Sequence, residues 1–374
     1  MARKDVYRQL QQHLDRLPQR YPATASGVEI RILERLFTPG EARVALQLSA
    51  FPEPVQTIHK RLRRTLAREG LVAALDGLAT RGLIHRVESK GVAKYLLAPF
   101  VVGFYERQLP WLTPEFERDL LQYFEEGLGL AVLSKKTTQM RTVPVNVSLT
   151  PDREIGNYDD IRAYVRASDG PFAVQECICR LGKSLLGHQC QTTSRHETCL
   201  TFGSAARGMV EAGTARSIGR DEMLQLLDEA DRDGLVLQPG NTQEPLFVCC
   251  CCGCCCGVLT TAKRLPEPAA YFSTNFYAEA DAERCEGCGT CLTRCPMDAI
   301  SLDTGKAAVA RSHCIGCALC VGSCPSEALA LRKKDDARVP PRTLPALYTQ
   351  IYRERYGSLG LAAAAARRFL GIKV

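Results

Sequence analysis

Residues 285–302 read CEGCGTCLTRCPMDAISL, and residues 314–331 read CIGCALCVGSCPSEALAL. The second stretch repeats the first at an offset of 29 residues. Each is C-x2-C-x2-C-x3-C-P, followed by an acidic residue, alanine, an aliphatic residue and leucine. Cysteines three apart, on a turn broken by Gly287 or Gly316, set three thiolates around one metal group. Small residues there let backbone N–H groups approach the sulfur, which tunes the potential of such a group. Each fourth cysteine stands before a proline, Pro296 or Pro325. A pair of zinc knuckles shares the Cys-x2-Cys step but leaves the third cysteine and the Cys-Pro ending without a use.

The repeat resembles the bacterial two-cluster ferredoxins. That resemblance implies two [4Fe-4S] clusters with exchanged fourth ligands. Cys285, Cys288, Cys291 and Cys324 would hold one, and Cys314, Cys317, Cys320 and Cys295 the other. Neither half lacks a cysteine, so nothing points to a three-iron variant.

Working outward, all nineteen cysteines lie between Cys177 and Cys324. No apolar run reaches the ~18 residues of a membrane-spanning helix. The N-terminal Met1-Ala2-Arg3-Lys4-Asp5 leads into polar sequence, so no signal peptide is expected and the expected compartment is the cytoplasm. There thiols stay reduced, and an odd number cannot all pair, so the cysteines read as metal ligands.

A second cysteine region precedes the repeat. Residues 249–256 read CCCCGCCC. Upstream stand Cys177, Cys179, Cys190 and Cys199. Side chains on a strand alternate faces, so neighbours in the run cannot all reach one metal. A run broken at Gly253 offers thiolates in two directions. The candidate ligands are Cys177, Cys179, Cys190, Cys199, Cys249, Cys251, Cys252, Cys254, Cys255 and Cys256. They are expected to hold one or two additional iron–sulfur clusters, with zinc less favoured. Arg180, Lys183, Arg195 and His196 are interspersed. Each reads most simply as a solvated or paired residue, although positive charge there would favour an anionic centre.

Around these ligands, Asn157 is expected to cap a helix at 158–167. Residues 172–174 and 235–237 read as strands, and 203–212 and 221–233 as helices ended by Gly213 and Gly234. Through ECICR at 176–180, CLTFG at 199–203, GLV at 234–236 and the run at 249–256, residues 25–350 resemble a group of ferredoxin-like proteins of anaerobic bacteria and archaea. Those join a winged-helix-like region to a multi-cysteine segment and a two-cluster ferredoxin. In that pattern a non-cysteine often fills the second place of the run, which makes Cys250 the weakest candidate ligand.

The net charge is +7, and residues 1–110 carry 18 Lys and Arg against 10 Asp and Glu, so the basic surplus lies there. Helices are expected at 24–37, from Thr38 through Leu48 with Thr38 as cap, at 53–66 and at 72–81. A basic hairpin, 83–88 and 92–97, follows. That order outlines a winged helix, a fold that commonly binds DNA. Arg81, Arg86, Lys90 and Lys94 would be its backbone contacts. The helix before the hairpin offers no Arg, Asn or Gln in its middle to read base edges. Docking to a protein is therefore favoured, and nucleic acid remains possible. Pro114–Gly127 reads as a connecting helix, residues 332–345 as an exposed arm and 359–372 as a helix.

No phosphate-binding glycine loop or nucleotide fingerprint occurs. The expected class is α+β. The expected domains are a basic winged-helix-like domain (1–110), a connecting helical region (111–170), a cysteine-rich metal-binding domain (171–270), the ferredoxin domain (271–335) and a C-terminal arm and helix (336–374). The favoured function is a low-potential electron carrier, or an electron-transfer subunit of an oxidoreductase, acting with redox partner proteins, with oligomerisation possible. Two alternatives are a redox- or iron-responsive DNA-binding regulator, and a reductase with chemistry at the upstream cluster.

Overall fold

The computed structural model describes residues 3–89, 91–134, 136–145, 157–370 and 372–373. Helix and strand are mixed, at 46% and 17%, which fits the α+β class. Two compact units emerge: Met1–Val132 with Tyr348–Val374, and Leu133–Leu347. Among the described residues, no helix is long and apolar enough to cross a membrane.

The first unit begins with α1 (Arg3–Asp15), α2 (Val28–Leu36) and α3 (Pro39–Ala45). Thr38 caps α3 in a reciprocal box: its hydroxyl accepts from Glu41 N (3.3 Å), and Glu41 accepts from Thr38 N (2.8 Å). The helix expected at 53–66 starts later. Glu53–Pro54 is a short strand, β1, paired with β3 (Val92–Leu97), and α4 covers only Val55–Leu62. Pro54 is extended, and the residue before a proline is pushed out of the helical region. α5 (Arg68–Thr80) begins a turn earlier than its apolar pattern, because its first residues are solvent-facing. β2 (Ile84–Ser89) then pairs with β3, giving the sheet order β1-β3-β2. Lys90 lies outside the described residues.

α6 (Pro114–Tyr123), capped by Thr113, continues through a wide turn at 124–128 into α7 (Gly129–Leu133). The core of this unit contains Tyr21, Phe100, Phe104 and Tyr123, whose rings meet edge-on or tilted at centroid separations of 4.9–6.0 Å.

The second unit is built on a five-stranded antiparallel sheet of order β6-β4-β5-β8-β7. Its strands are β4 (Phe172–Glu176), β5 (Glu197–Phe202), β6 (Arg216–Ile218), β7 (Val236–Pro239) and β8 (Phe247–Cys251). α8 (Ile161–Ala167) precedes them, and α9 (Ile178–Leu185), α10 (Gly203–Glu211) and α11 (Arg220–Asp233) run between them. Asp160 caps α8, accepting from Ala163 N at 2.9 Å; the side chain of Asn157 lies outside the described residues. α11 ends at Gly234 in the left-handed conformation.

Strand register fixes which cysteines share a face. Gln175, Cys199, Cys249 and Gln238 stand directly opposite one another across four strands. One residue along, Val174, Leu200 and Val248 form the apolar face, which Leu237 and Cys250 extend. β8 and α12 (Gly257–Lys263) flank the second half of the cysteine run.

After α12 come β9 (Phe276–Ala280), α13 (Thr290–Arg294), β10 (Ile300–Asp303), β11 (Lys306–Val309), α14 (Leu319–Gly322) and β12 (Leu329–Lys333). β10 pairs with β11 and β12 with β9. Residues 140–145 stitch this part to the sheet. Val143 N donates to Leu237 O (3.2 Å), and Val145 N to Cys317 O (3.0 Å). The C-terminal helix α15 spans Leu344–Phe369 with a break at Gly357, longer than the 359–372 expected. Pro345 marks its first turn, where a proline costs no hydrogen bond. From Tyr348 onward it belongs to the first unit, where Tyr356 donates to Arg16 O at 2.5 Å.

Candidate metal centres

The 29-residue repeat is also a repeat in space. Cys285 Sγ accepts from Ala307 N, and Cys314 Sγ from Ala278 N, both at 3.3 Å. Cys295 Sγ accepts from Ala299 N (3.2 Å), and Cys324 Sγ from Ala328 N (3.3 Å). These donors stabilise the charged form of the sulfur. Gly287 and Gly316 occupy matching positive-φ positions. A Cβ would sit 2.3 Å from Gly305 O in the first and 2.3 Å from Phe276 O in the second. Only glycine permits that approach of one loop to the neighbouring backbone.

Two cavities follow from the repeat. One, with about 320 Å³ of empty space, is lined by Cys285, Cys288, Cys291 and Cys324. The other, with about 350 Å³, is lined by Cys295, Cys314, Cys317 and Cys320. Each brings three cysteines of one motif to the fourth of the other. Their chemistry, four soft thiolates around a largely apolar space, fits an iron–sulfur cluster. The halves differ in exposure: Cys288 is exposed, while Cys317 is buried. Burial pushes the Cys317 and Cys320 thiols up.

Upstream, the Sγ atoms of Cys190, Cys252, Cys254 and Cys255 all lie within 4.8 Å of one another. Cys190 is 3.6 Å from Cys252 and from Cys254, and Cys254 is 3.7 Å from Cys255. Thr192 Oγ1 lies 3.6 Å from Cys254 Sγ. β8 ends at Cys251, and residues 252–255 turn, which carries these three thiols to the loop bearing Cys190. A hydrogen bond from Cys255, aided by the Arg180 guanidinium, outweighs burial and lowers the Cys252 thiol to about 4.

Cys177 and Cys179 sit elsewhere in the domain, at the start of α9. Cys177 precedes the helix, donates its N–H to His196 O (2.9 Å) and meets the Cys179 thiol. Cys251 meets the thiols of Cys249 and Cys256. Cys199 accepts from Gln175 Nε2 at 3.4 Å. Cys250 points into the apolar face, where burial raises its thiol to about 12.

Of the interspersed basic residues, Lys183 and Arg195 are paired, as expected, but the burial of Arg180 was not read from the sequence. Arg180 is buried, donating through Nη1 to Arg195 O (2.8 Å) and Thr198 Oγ1 (2.7 Å). Lys183 Nζ donates to Cys254 O (3.0 Å), while Arg195 pairs with Glu229 and Asp233. Only position, not residue type, separates Arg180 from a surface arginine, so no local signal marks it.

The repeat and the turn after β8 meet at Gly253. A Cβ there would lie 2.7 Å from Pro296 O, next to Cys295. Lys263 pairs with Asp298 (2.7 Å), and Arg294 donates to Asp231 O (2.6 Å), closing the same junction.

No curated protein and no solved structure matches the chain. Residues 278–328 match the family model described as a 4Fe-4S dicluster domain, and with the cysteine grouping upstream this makes the chain an iron–sulfur protein.

Proposed function

We propose that the chain is a low-potential electron carrier, or an electron-transfer subunit of an oxidoreductase, with two ferredoxin-type clusters and at least one further centre in the cysteine run. The carrying observation is that each cavity of the repeat is lined by three cysteines of one motif and the fourth of the other. In this reading Cys285, Cys288, Cys291 and Cys324 hold one [4Fe-4S] cluster, and Cys314, Cys317, Cys320 and Cys295 the other. Bound clusters supply reversible one-electron storage. The chain's own residues do the rest: the N–H donors at 278, 299, 307 and 328 set the charge on sulfur, and Gly287 and Gly316 admit the close backbone.

The further centre belongs to the residues among Cys177, Cys179, Cys190, Cys199, Cys249, Cys251, Cys252, Cys254, Cys255 and Cys256 that the fold groups, foremost Cys190, Cys252, Cys254 and Cys255. Its loop lies against Pro296, beside Cys295, which is why it belongs to the same electron route. The 3.6–3.7 Å sulfur spacing favours a second reading for this set. With metal–sulfur bonds of about 2.3 Å, a tetrahedron of thiolates around one ion has edges of about 3.8 Å. Zinc without matching acid-labile sulfide would establish that reading.

The basic domain at residues 1–110 reads as a winged helix that docks an acidic redox partner. Some of its cations are paired within the same unit: Arg81 with Glu41 (2.6 Å), Arg61 with Glu53 (2.6 Å) and Arg31 with Asp119 (2.9 Å). A gel shift against duplex DNA, in reduced and oxidised states, tests this. Sequence-specific binding that changes with redox state would replace the carrier reading with the regulator.

A further inference from the structure

The two halves of the repeat match in spacing and differ in what surrounds them. Glu286, Thr290 and Leu302 of the first half stand where Ile315, Leu319 and Leu331 stand in the second. Glu286 and Thr290 are exposed, while Ile315 and Leu319 are buried. Leu302 is 42% exposed and Leu331 only 7%. Leu331 and Ala318 pack with Phe276, and Val145 N donates to Cys317 O at 3.0 Å, so the second half is built into the unit. Among the described residues, Cys288 is the one exposed cysteine. Cys288, Glu286 and Leu302 line the same cavity.

The cavity that contains Cys295 is the one that meets the cysteine run, through Gly253 against Pro296. That leaves the Cys288 cavity facing outward. Charge divides the halves in the same sense. Glu283, Glu286 and Asp303 are exposed beside the Cys288 cavity. Nearby, Arg284 is paired with Glu327 at 3.2 Å, and Lys306 donates to Cys285 O at 2.5 Å. The residues matching Glu283 and Asp303 in the second half are Ser312 and Arg332.

We propose that the edge at Cys288 is where this chain exchanges electrons with a partner protein, and that the partner presents a lysine- or arginine-rich face around an apolar contact with Leu302. Electron transfer falls off steeply with distance, so a partner reaches the cluster whose ligands lie at the surface. The carboxylates steer a cationic face to that edge, and Leu302 gives it an apolar seat. The inference rests on the reading of the repeat as two [4Fe-4S] clusters. It goes further by assigning one of them to the partner and naming the chemistry of the face that docks there.

The probe is oxidised cytochrome c, a lysine-rich one-electron acceptor. It is mixed by stopped flow with the full chain, reduced anaerobically by dithionite and freed of excess reductant. Each electron leaves a reduced cluster and turns one ferric haem ferrous, and no bond or proton moves. Glu283→Gln with Glu286→Gln is compared with Asp335→Asn with Asp336→Asn, an equal loss of charge on the exposed turn after β12. At low ionic strength the glutamate pair is expected to slow the second-order rate roughly three- to tenfold and to flatten its fall with salt. The aspartate pair is expected to leave both as in the wild type. An equal effect of the two pairs, or no effect of the glutamate pair, would overturn the docking edge and leave the electron carrier standing. A wild-type chain that holds about eight irons in the repeat yet passes no electron to cytochrome c or to ferricyanide would overturn the carrier reading, and the edge with it.

Where the glutamate variant loses iron, carbodiimide labelling of wild-type carboxylates with and without cytochrome c decides. Glu283, Glu286 and Asp303 are expected to be shielded by the bound probe. Shielding confined to carboxylates elsewhere on the chain would contradict the edge.

Discussion

Gly253 lies against Pro296 so closely that a Cβ would come within 2.7 Å of the Pro296 carbonyl oxygen. The two residues belong to different cysteine motifs. Gly253 separates Cys252 from Cys254, and Pro296 follows Cys295. The absence of a side chain therefore sets the distance between the upstream thiols and the repeat. Gly253→Ala should force the two backbones apart at an overpacking cost of about 1–3 kcal/mol. The urea midpoint of the second unit should fall accordingly, and reduction of the upstream centre by way of the repeat should slow. An unchanged midpoint would mean that the contact is slack.

Gly287 and Gly316 make a paired prediction. Each holds a positive φ, and each would place a Cβ 2.3 Å from a neighbouring carbonyl oxygen. Gly287→Ala should empty the half lined by Cys285, Cys288, Cys291 and Cys324, and Gly316→Ala the half lined by Cys314, Cys317, Cys320 and Cys295. Each should cost about four irons of a [4Fe-4S] cluster. Iron counts with EPR of the reduced protein read this; a loss of both clusters from either change would show that the halves are not independent.

The halves also differ in access. Cys288 is exposed and Cys317 buried, with Val145 N bonded to Cys317 O at 3.0 Å. Oxidants should strip iron first from the half containing Cys288. Timed alkylation during ferricyanide treatment checks this, with Cys285, Cys288 and Cys291 expected to react before Cys314, Cys317 and Cys320. The reverse order would place the accessible edge on the other cluster.

Much of the repeat was legible because its chemistry is local: spacing, two glycines and two prolines carry it. The sheet that holds the upstream thiols was far less so. Residues 172–174 and 235–237 read as strands, but β5 and β8 did not, because their cysteines read as metal ligands and Cys249–Cys251 shows no alternation of polarity. Their pairing places Cys199 opposite Cys249, a relation made by register between strands nearly fifty residues apart in sequence. Arg180 was hidden for the same reason, since burial is a tertiary property. The capping signal at Thr38 was legible because the box is complete within four residues. The start of α15 was not, because the prolines at 340, 341 and 345 masked it.

The first unit carries a pH response of its own. His13 is buried, with Nε2 2.8 Å from Leu48 O. Burial, then the nearby Lys373, lower its pKa from 6.5 to about 4. Its folded-state pKa is below its unfolded value, so between pH 4 and 6.5 the unfolded chain binds more protons. Stability is therefore fully present above pH 6.5 and lost as pH falls toward 4, by an amount on the order of 3 kcal/mol. Denaturation followed by Trp111, the single tryptophan, should show this loss in the wild type and a flatter profile in His13→Gln.

The central claim is that iron–sulfur chemistry extends beyond the ferredoxin repeat into the cysteine run. Its most direct measurement is iron, zinc and acid-labile sulfide per chain in anaerobically purified protein. Two [4Fe-4S] clusters account for about eight irons, and the account predicts about twelve or more, with sulfide in proportion. About eight irons, whether alone or accompanied by zinc, would contradict it.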